Sequence, residues 1–191
     1  MTRTVFEKAD VIPLVAEVFR ELGYEGATMS KITARTGLSK GSLYHFFPGG
    51  KEEMAAEIVA DVERWFAKRV FEPLERDDPK EAIAVMWREV DAYFRSGQRI
   101  CLIGAFALDE TRDRFAAAIS RYFRRWVDAL QDALVRAGVP RGTAAKLAEE
   151  SVAGIQGGLL LARGLHDESV FARTLAGLEE RVSSYLPKPG R

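Results

Sequence analysis

The 191-residue chain carries 28 basic and 28 acidic residues, so its formal net charge is zero and binding of a polyanion requires a local basic surface. Its 47% hydrophobic and 29% charged residues are typical of a globular protein, and a single cysteine excludes an intramolecular disulfide. No stretch approaches the roughly 18 uncharged apolar residues of a membrane span, and no signal-peptide pattern begins the chain. We therefore expect no membrane partner and a cytoplasmic location.

The first predicted helix is amphipathic, with apolar residues at three- and four-residue spacing, and it runs to about Leu22. Pro13 leaves two interpretations open. It lies in the first turn after an Asp10 cap, or it kinks a helix that begins near Val5.

Two short helices joined by a tight turn are predicted next. Thr28 can cap a helix from Met29 to about Thr36. Gly37 permits the positive φ that a sharp turn after a helix requires. Ser39 can cap a second helix from Lys40 to about Phe46, which ends before a Pro-Gly-Gly run.

The stretch from residue 26 to residue 51 contains four basic side chains and neither Asp nor Glu. The second short helix turns a donor-rich face outward, formed by Lys40, Gly41, Ser42, Tyr44 and His45. In a helix-turn-helix, the second helix lies in the DNA major groove with its N-terminal residues on base edges. Glycine is unfavourable in a helix interior, and close approach of the helix backbone to DNA is one reason for a glycine at position 41.

The run TxxxITxxTGLSKGSLYHFFPGGKEE, from Thr28 to Glu53, resembles the DNA-binding motif of the tetracycline-repressor (TetR) family of transcriptional regulators. The preceding FRELGYEG resembles the end of that family's first helix. The resemblance covers about the first 65 residues and rests on length and helical layout beyond them. It is greatest to the branch that contains regulators of multidrug and flavonoid response in Gram-positive bacteria.

The resemblance implies roles for particular residues. It places Thr28, Tyr44 and Lys51 on DNA phosphates. It places Ser39, Lys40, Gly41, Ser42 and His45 on the recognition helix. The chain departs from the family pattern at Thr33, where a small Ala is usual, and in the linker 47–51, which is one residue longer than the common form.

The rest of the chain is predicted to be helical because its apolar residues recur at three and four. A long helix runs from Glu52 to about Phe71, and a break follows from Leu74 to Pro79. Later helices are predicted over 79–94, 100–108, 112–137, 144–163 with a Thr143 cap, and 168–186 with an Asp167 cap. The fold class is all-α with about nine helices. Residues 1–50 form the helix-turn-helix domain, and residues 51–191 form a helical domain for ligand binding and dimerisation.

Small residues recur on one face of the helix 144–163, namely Ala148, Ser151, Gly154 and Gly158. They allow another helix to come close, which offsets the stability that helical glycines cost. A two-fold dimer interface is one interpretation, and the resemblance favours it because the family dimerises through its last two helices. Tight packing within the monomer is the other.

An effector pocket is expected between the helices of the second domain, which is where helical bundles place ligands. Its candidate residues are Trp65, Trp87, Phe94, Cys101, Phe106, Phe123, Trp126 and Gln156. Each aromatic side chain can equally be plain core. Cys101 is interpreted either as an inert buried thiol or as a sensor of electrophiles or oxidants.

No zinc ligand set, nucleophile elbow or phosphate loop is present in the sequence, so we expect neither an enzyme nor a cofactor or metal. The sequence favours a repressor that binds an inverted-repeat DNA operator as a homodimer and is released by a small hydrophobic effector. The alternative is an all-α ligand-binding or interaction bundle whose N-terminal helices no longer bind DNA.

Overall fold

The computed structural model describes residues 6–108 and 112–187, and no strand occurs within them. The helices are α1 Lys8–Gly26, α2 Met29–Thr36, α3 Lys40–Phe46, α4 Gly50–Phe66, α5 Glu72–Arg76, α6 Pro79–Phe94, α7 Leu102–Ala107, α8 Arg112–Arg136, α9 Arg141–Leu165 and α10 Ser169–Tyr185. A π-helical turn, Ala67–Phe71, joins α4 to α5 into one continuous helix. The described residues therefore form nine separate helices. The predicted all-α class is confirmed.

The chain divides into two compact units. The first is Met1–Glu63 with Leu102–Ile119, and the second is Arg64–Cys101 with Ser120–Arg191. In the first unit, α1 packs on α2 and α7, and α2 packs on α3. In the second unit, α10 packs on α9 and α6. The boundary predicted from the sequence, between a DNA-binding domain 1–50 and a ligand-binding and dimerisation domain 51–191, stays a prediction.

Helix α1 begins with a reciprocal cap. The Asp10 carboxylate accepts from the Glu7 N–H at 2.9 Å, so Asp10 is the third residue of the helix instead of its cap. Pro13 therefore lies inside the helix, in its second turn. The helical angles are interrupted at Gly23, just beyond the end predicted at Leu22, and the last turn then runs to Gly26.

Pro73 accounts for the π turn between α4 and α5. Proline has no N–H to donate and its ring clashes with the carbonyl four residues earlier, so a regular α-helix cannot pass through it. The chain instead makes a wider turn, in which the N–H of Glu72 donates to the carbonyl of Ala67. The helix thus continues to Arg76, so the break predicted from Leu74 to Pro79 is confined to Asp77 and Asp78.

The last two helices begin differently from each other. Helix α9 starts at Arg141 after Pro140, whose carbonyl accepts from the Thr143 N–H at 2.9 Å, so Thr143 is not the predicted cap. The Asp167 carboxylate accepts from the Ser169 N–H at 3.0 Å at the start of α10, but the cap position is Glu168, one residue after the predicted cap. Across residues 6–108 and 112–187, no helix is both long enough and apolar enough to cross a membrane.

Candidate nucleic-acid interface

Local hydrogen bonds build the turn between α2 and α3. The Thr28 hydroxyl accepts from the Lys31 N–H at 3.4 Å at the start of α2. Gly37 follows α2 in the left-handed region with φ 72°, and its N–H donates back to the last turn of that helix. The Ser39 hydroxyl accepts from the Ser42 N–H at 3.0 Å at the start of α3. These bonds confirm both predicted helices and the turn between them.

Helix α3 buries one face and exposes the other. Leu43 is fully buried, and Phe47 directly after the helix is 1% exposed. The residues predicted to contact DNA lie elsewhere: Thr28, Ser39, Lys40, Gly41, Tyr44 and His45 are exposed and Ser42 is half-buried. The outward face therefore carries hydrogen-bond donors and no carboxylate, which suits the acceptor-rich phosphates and purine edges of DNA.

Packing within the chain does not require glycine at position 41. A Cβ added to Gly41 would have the Ser39 Oγ as its nearest neighbour, at 3.8 Å. That distance is an ordinary van der Waals contact, and the position is exposed. The contacts within the described chain therefore do not account for this glycine, and the close approach to DNA inferred from the sequence stays a prediction.

Lys51 is engaged within the first unit. Its Nζ donates to the Tyr24 carbonyl at 3.1 Å and lies 4.2 Å from the centroid of the Tyr24 ring. The Glu25 carboxylate is 3.5 Å from the same nitrogen. The Lys51 side chain remains 24% exposed. The contact between Tyr24 and Lys51 was not predicted from the sequence, in which only the Gly-Tyr pair of the motif points to Tyr24.

Acidic residues that flank the acid-free stretch are paired with basic ones. Glu21 forms a close ion pair with Arg35. Glu52 lies 3.5 Å from the Arg114 guanidinium. Because Arg35 is paired in this way, the exposed cations of the motif that remain for a polyanion are chiefly those of Lys31 and Lys40.

Ion pairs also fix the first turns of α4 against α1. The Lys8 ammonium lies 3.1 Å from Glu53 and 2.7 Å from Glu57. The hydrogen bond to Glu57 raises the pKa of Lys8 above its usual value. The Gly49 N–H, with Lys8 as a second donor, lowers the pKa of Glu53. Both partners are therefore charged near neutral pH, and the loop that leads from α3 into α4 is held at its end.

Aromatic side chains form one connected cluster in the second unit. Trp126 is fully buried and its ring centroid lies 5.1 Å from that of Phe66. Phe66 also contacts Tyr93 at 4.8 Å and Phe94 at 6.1 Å. The half-buried Trp65 lies 4.5 Å from Tyr93. Trp65, Phe94 and Trp126, predicted separately for the effector pocket, therefore belong to one cluster.

The other residues predicted for the effector pocket are divided between the two units, and among them Phe123 joins the cluster through Tyr122, whose ring centroid lies 5.1 Å away. Trp87 and Cys101 are buried, and Phe123 and Gln156 are half-buried. Phe106 belongs to the first unit, where it packs on other aromatic rings of that unit. Burial of the Cys101 thiol matches the interpretation of an inert cysteine, since a sensor has to meet its oxidant. No group of three or more His, Cys, Asp or Glu side chains is placed to hold a metal ion within the described ranges.

The small face of α9 is covered by α10 of the same chain. Ala148 and Ser151 are 0% and 1% exposed. A Cβ added to Gly154 would lie 2.8 Å from a leucine of α10, and one added to Gly158 would lie 3.1 Å from a threonine of α10. The close approach inferred for Gly154 and Gly158 is thus made within the monomer, in which Ala148 and Ser151 are also buried. Helical periodicity identified the face that needs close packing, but it does not specify which helix supplies the contact.

The C-terminal end of α9 exposes apolar side chains. Leu160 and Leu165 are each 63% exposed, and Leu161 is 53% exposed. Gly157 lies one turn before Leu161, and a Cβ added there would meet no atom within 4 Å. Exposed leucines on one helix face mark a protein-interaction surface more often than isolated ones do.

Two family models match the chain. The model for bacterial regulatory proteins of the tetR family matches residues 15–58, which include α2 and α3. The model for the C-terminal domain of LmrA/YxaF-like transcriptional regulators matches residues 79–176, slightly more than half of the chain. The first match covers the helix-turn-helix, and the second covers most of the second unit.

Curated relatives and solved structures agree with these matches. The HTH-type transcriptional regulator LmrA of Bacillus subtilis is 26% identical over 156 residues, which are 79% of this chain and 83% of LmrA. An HTH-type transcriptional regulator of Mycobacterium tuberculosis is 28% identical over 182 residues, 92% of this chain and 94% of that protein. A TetR transcriptional regulator of Legionella pneumophila has a TM-score of 0.79 at 20% identity and covers 97% of this chain and 100% of its own. A cysteine mutant of the TetR family regulator CifR, complexed with 26-bp operator DNA, has a TM-score of 0.71 at 22% identity, with 97% and 100% covered.

Proposed function

Because the chain belongs to the TetR family of transcriptional regulators, we propose that it is a cytoplasmic repressor that binds an inverted-repeat operator as a homodimer and is released by a small hydrophobic effector. The outward face of α3 carries this proposal. Lys40, Tyr44 and His45 are exposed there on an acid-free helix pair with the order and caps of a helix-turn-helix. Phosphate contacts would fix the register of the complex, and the first turns of α3 would read base edges.

The exposed leucines of α9 support the homodimer. In a two-fold dimer the same patch of each protomer meets its copy, so one apolar face is sufficient. Leu160, Leu161 and Leu165 supply such a face. A dimer of this kind carries two copies of α3, and two recognition helices about 34–36 Å apart read half-sites one helical turn apart.

Unpaired buried nitrogens in the second unit support an effector of mixed character. Within the described residues, Trp87 Nε1, Trp126 Nε1 and Gln156 Nε2 have no hydrogen-bond partner. A buried donor without an acceptor costs about 1–3 kcal/mol, and an acceptor atom of a ligand removes that cost. We therefore expect an effector with a flat apolar body and one or more hydrogen-bond acceptors.

The chain connectivity supports communication between effector and DNA. Leu102–Ile119 belongs to the first unit, yet the residues on both sides of it in sequence belong to the second. Within the first unit, α7 packs on α1. An effector that prefers one arrangement of the second unit would therefore shift the population of the first, and DNA affinity would fall by the ratio of the two effector affinities.

Selection from a random duplex library tests the operator prediction. The purified protein should enrich duplexes with two half-sites of opposite orientation, spaced by about one helical turn. Duplexes selected by a Lys40→Ala variant should show no base preference, in either half-site, at the position that Lys40 contacts. Recovery of a single asymmetric site, or of no consensus at all, contradicts the proposal.

The dimer surface is tested by Leu161→Ala, with Leu14→Ala as a matched control on α1. Leu161 is 53% exposed, so its burial in a dimer is worth about 1 kcal/mol per copy. Two copies give about 2 kcal/mol, which weakens dimerisation roughly 30-fold in a sedimentation dilution series. Leu14 is 40% exposed but lies outside α9, so its loss should leave dimerisation unchanged. Equal behaviour of the two variants would place the dimer surface elsewhere.

A further inference from the structure

The contact between Lys51 and Tyr24 carries an inference that rests on the proposed DNA binding. Lys51 is the second residue of α4, and the cation lies 4.2 Å from the centroid of the Tyr24 ring. Its Nζ also donates to the Tyr24 carbonyl at 3.1 Å. One residue thus holds the ammonium group twice, by its ring face and by its backbone oxygen.

Tyr24 is itself held on all sides. It is 3% exposed, and its ring lies 5.9 Å from Phe19, 6.2 Å from Phe106 and 6.3 Å from Phe115 between centroids. Phe106 and Phe115 stack on each other at 5.5 Å. Burial raises the pKa of the Tyr24 hydroxyl, so the ring stays neutral at physiological pH. The Tyr24 ring that contacts Lys51 is therefore packed among aromatic side chains of α1, α7 and the start of α8.

The ammonium group has one donor to spare. It carries three N–H donors, of which the Tyr24 carbonyl takes one and the Glu25 carboxylate takes a second. The Glu25 carboxylate, 3.5 Å away and 68% exposed, is the present charge partner. A DNA phosphate can replace this exposed carboxylate without disturbing the contacts to Tyr24. A lysine otherwise loses much rotamer freedom when it is fixed on a ligand, and here that loss has occurred before DNA arrives.

We propose that Tyr24 is the positioning residue for a DNA-phosphate contact made by Lys51. Tyr24 does not touch DNA itself. It keeps the Lys51 ammonium at the start of α4, close to the end of the recognition helix, in the conformation that meets the phosphate.

A double-mutant cycle on the duplex recovered by selection tests the proposal. Tyr24→Leu removes the ring face, and with two copies per dimer we expect affinity to fall about tenfold. Lys51→Ala should lower the slope of log K against log salt by about 1.8, which is one phosphate for each protomer. In the Lys51→Ala background, Tyr24→Leu should then change neither affinity nor slope. Tyr24→Phe keeps the ring and should bind DNA as the unchanged protein does.

Lys8 provides the matched control for the cycle. Its ammonium also lies over an aromatic ring, 5.1 Å from the centroid of Phe47, but its partners are Glu53 and Glu57 of the same chain. The effect of Tyr24→Leu should therefore be undiminished in a Lys8→Ala background. If Tyr24→Leu weakens DNA binding equally with and without Lys51, the ring acts through the core and the proposal is overturned, although the proposed DNA binding stands. Absence of binding by the unchanged protein would instead refute the proposed function.

A measurement without variants guards against misfolding of Tyr24→Leu. The ε-methylene protons of Lys51 lie near the face of the Tyr24 ring, so their NMR signals should be shifted upfield by the ring current. The shift should persist in the DNA complex if Tyr24 still holds Lys51 there. Its disappearance on DNA binding would show that Lys51 leaves the ring to reach the phosphate, which contradicts positioning by Tyr24.

Discussion

Gly41→Ala should stabilise the protein and weaken DNA binding at the same time. The added Cβ would meet only the Ser39 Oγ, at 3.8 Å, so the folded chain accepts it without strain. Alanine is favoured over glycine in helices by up to about 1 kcal/mol. For a chain of this length that gain raises the melting temperature by roughly 2–4 °C.

The same methyl group should oppose DNA. If the backbone at Gly41 approaches the groove closely, each added methyl costs about 1 kcal/mol or more in overpacking. A dimer carries two of them, so affinity for the selected duplex should fall at least roughly 30-fold. Fluorescence anisotropy with a labelled duplex measures this loss, and a thermal melt of the same sample measures the gain in stability.

Gly142→Ala is the matched control for this pair of effects. Gly142 is the second residue of α9, as Gly41 is of α3, and a Cβ added there would meet no atom within 4 Å. It should give a similar gain in melting temperature with unchanged DNA affinity. If Gly41→Ala binds DNA as tightly as Gly142→Ala does, then α3 does not approach DNA closely at Gly41 and the reasoning fails.

Three further predictions concern stability, pH and charge. Gly97→Ala should destabilise the fold by about 3 kcal/mol in chemical denaturation. The residue has φ +97°, and the new Cβ would lie 2.8 Å from Phe171 Cβ and 3.1 Å from a backbone oxygen. An unchanged denaturation midpoint would contradict this packing. Glu53→Gln should lower the free energy of unfolding at neutral pH. Because the pKa of Glu53 is lowered in the folded state, the difference in stability from the unchanged protein should disappear as the pH falls below about 4. A stability difference that is independent of pH would show that the Glu53 charge is not involved. Glu25→Gln should raise DNA affinity several-fold at low salt because it removes a negative charge 3.5 Å from the Lys51 ammonium. The gain should be smaller at high salt, where this charge is screened. A loss of affinity would mean that the Glu25 carboxylate itself contributes to DNA binding.

The helix-turn-helix was predictable from sequence because its determinants are local. The caps at Thr28 and Ser39 act within three residues, and Gly37 acts on its own turn. The exposure of α3 then follows from the spacing of its apolar residues. Such features need no knowledge of which distant helix packs where.

The parts that sequence reasoning missed depend on distant contacts. Tyr24 meets Lys51 at a separation of 27 residues, and Phe106 joins the first unit although its neighbours in sequence from 64 to 101 belong to the second. The small face with Gly154 and Gly158 was identified as a close-packing face, but the helix that covers it is α10 of the same chain. Helical periodicity specifies which side chains share a face, and the partner of that face is decided by tertiary packing.

The most direct test of DNA binding through α3 is the affinity of the purified protein for its selected duplex, measured for the unchanged protein and for Tyr44→Ala across a salt series. Tyr44 is exposed on α3, and its predicted partner is a phosphate. We expect the unchanged protein to bind with an affinity that falls steeply between about 50 and 200 mM salt, and Tyr44→Ala to bind more weakly at every salt concentration. An affinity that changes neither with salt nor in Tyr44→Ala, or the absence of binding at low salt, would contradict recognition of DNA by this helix.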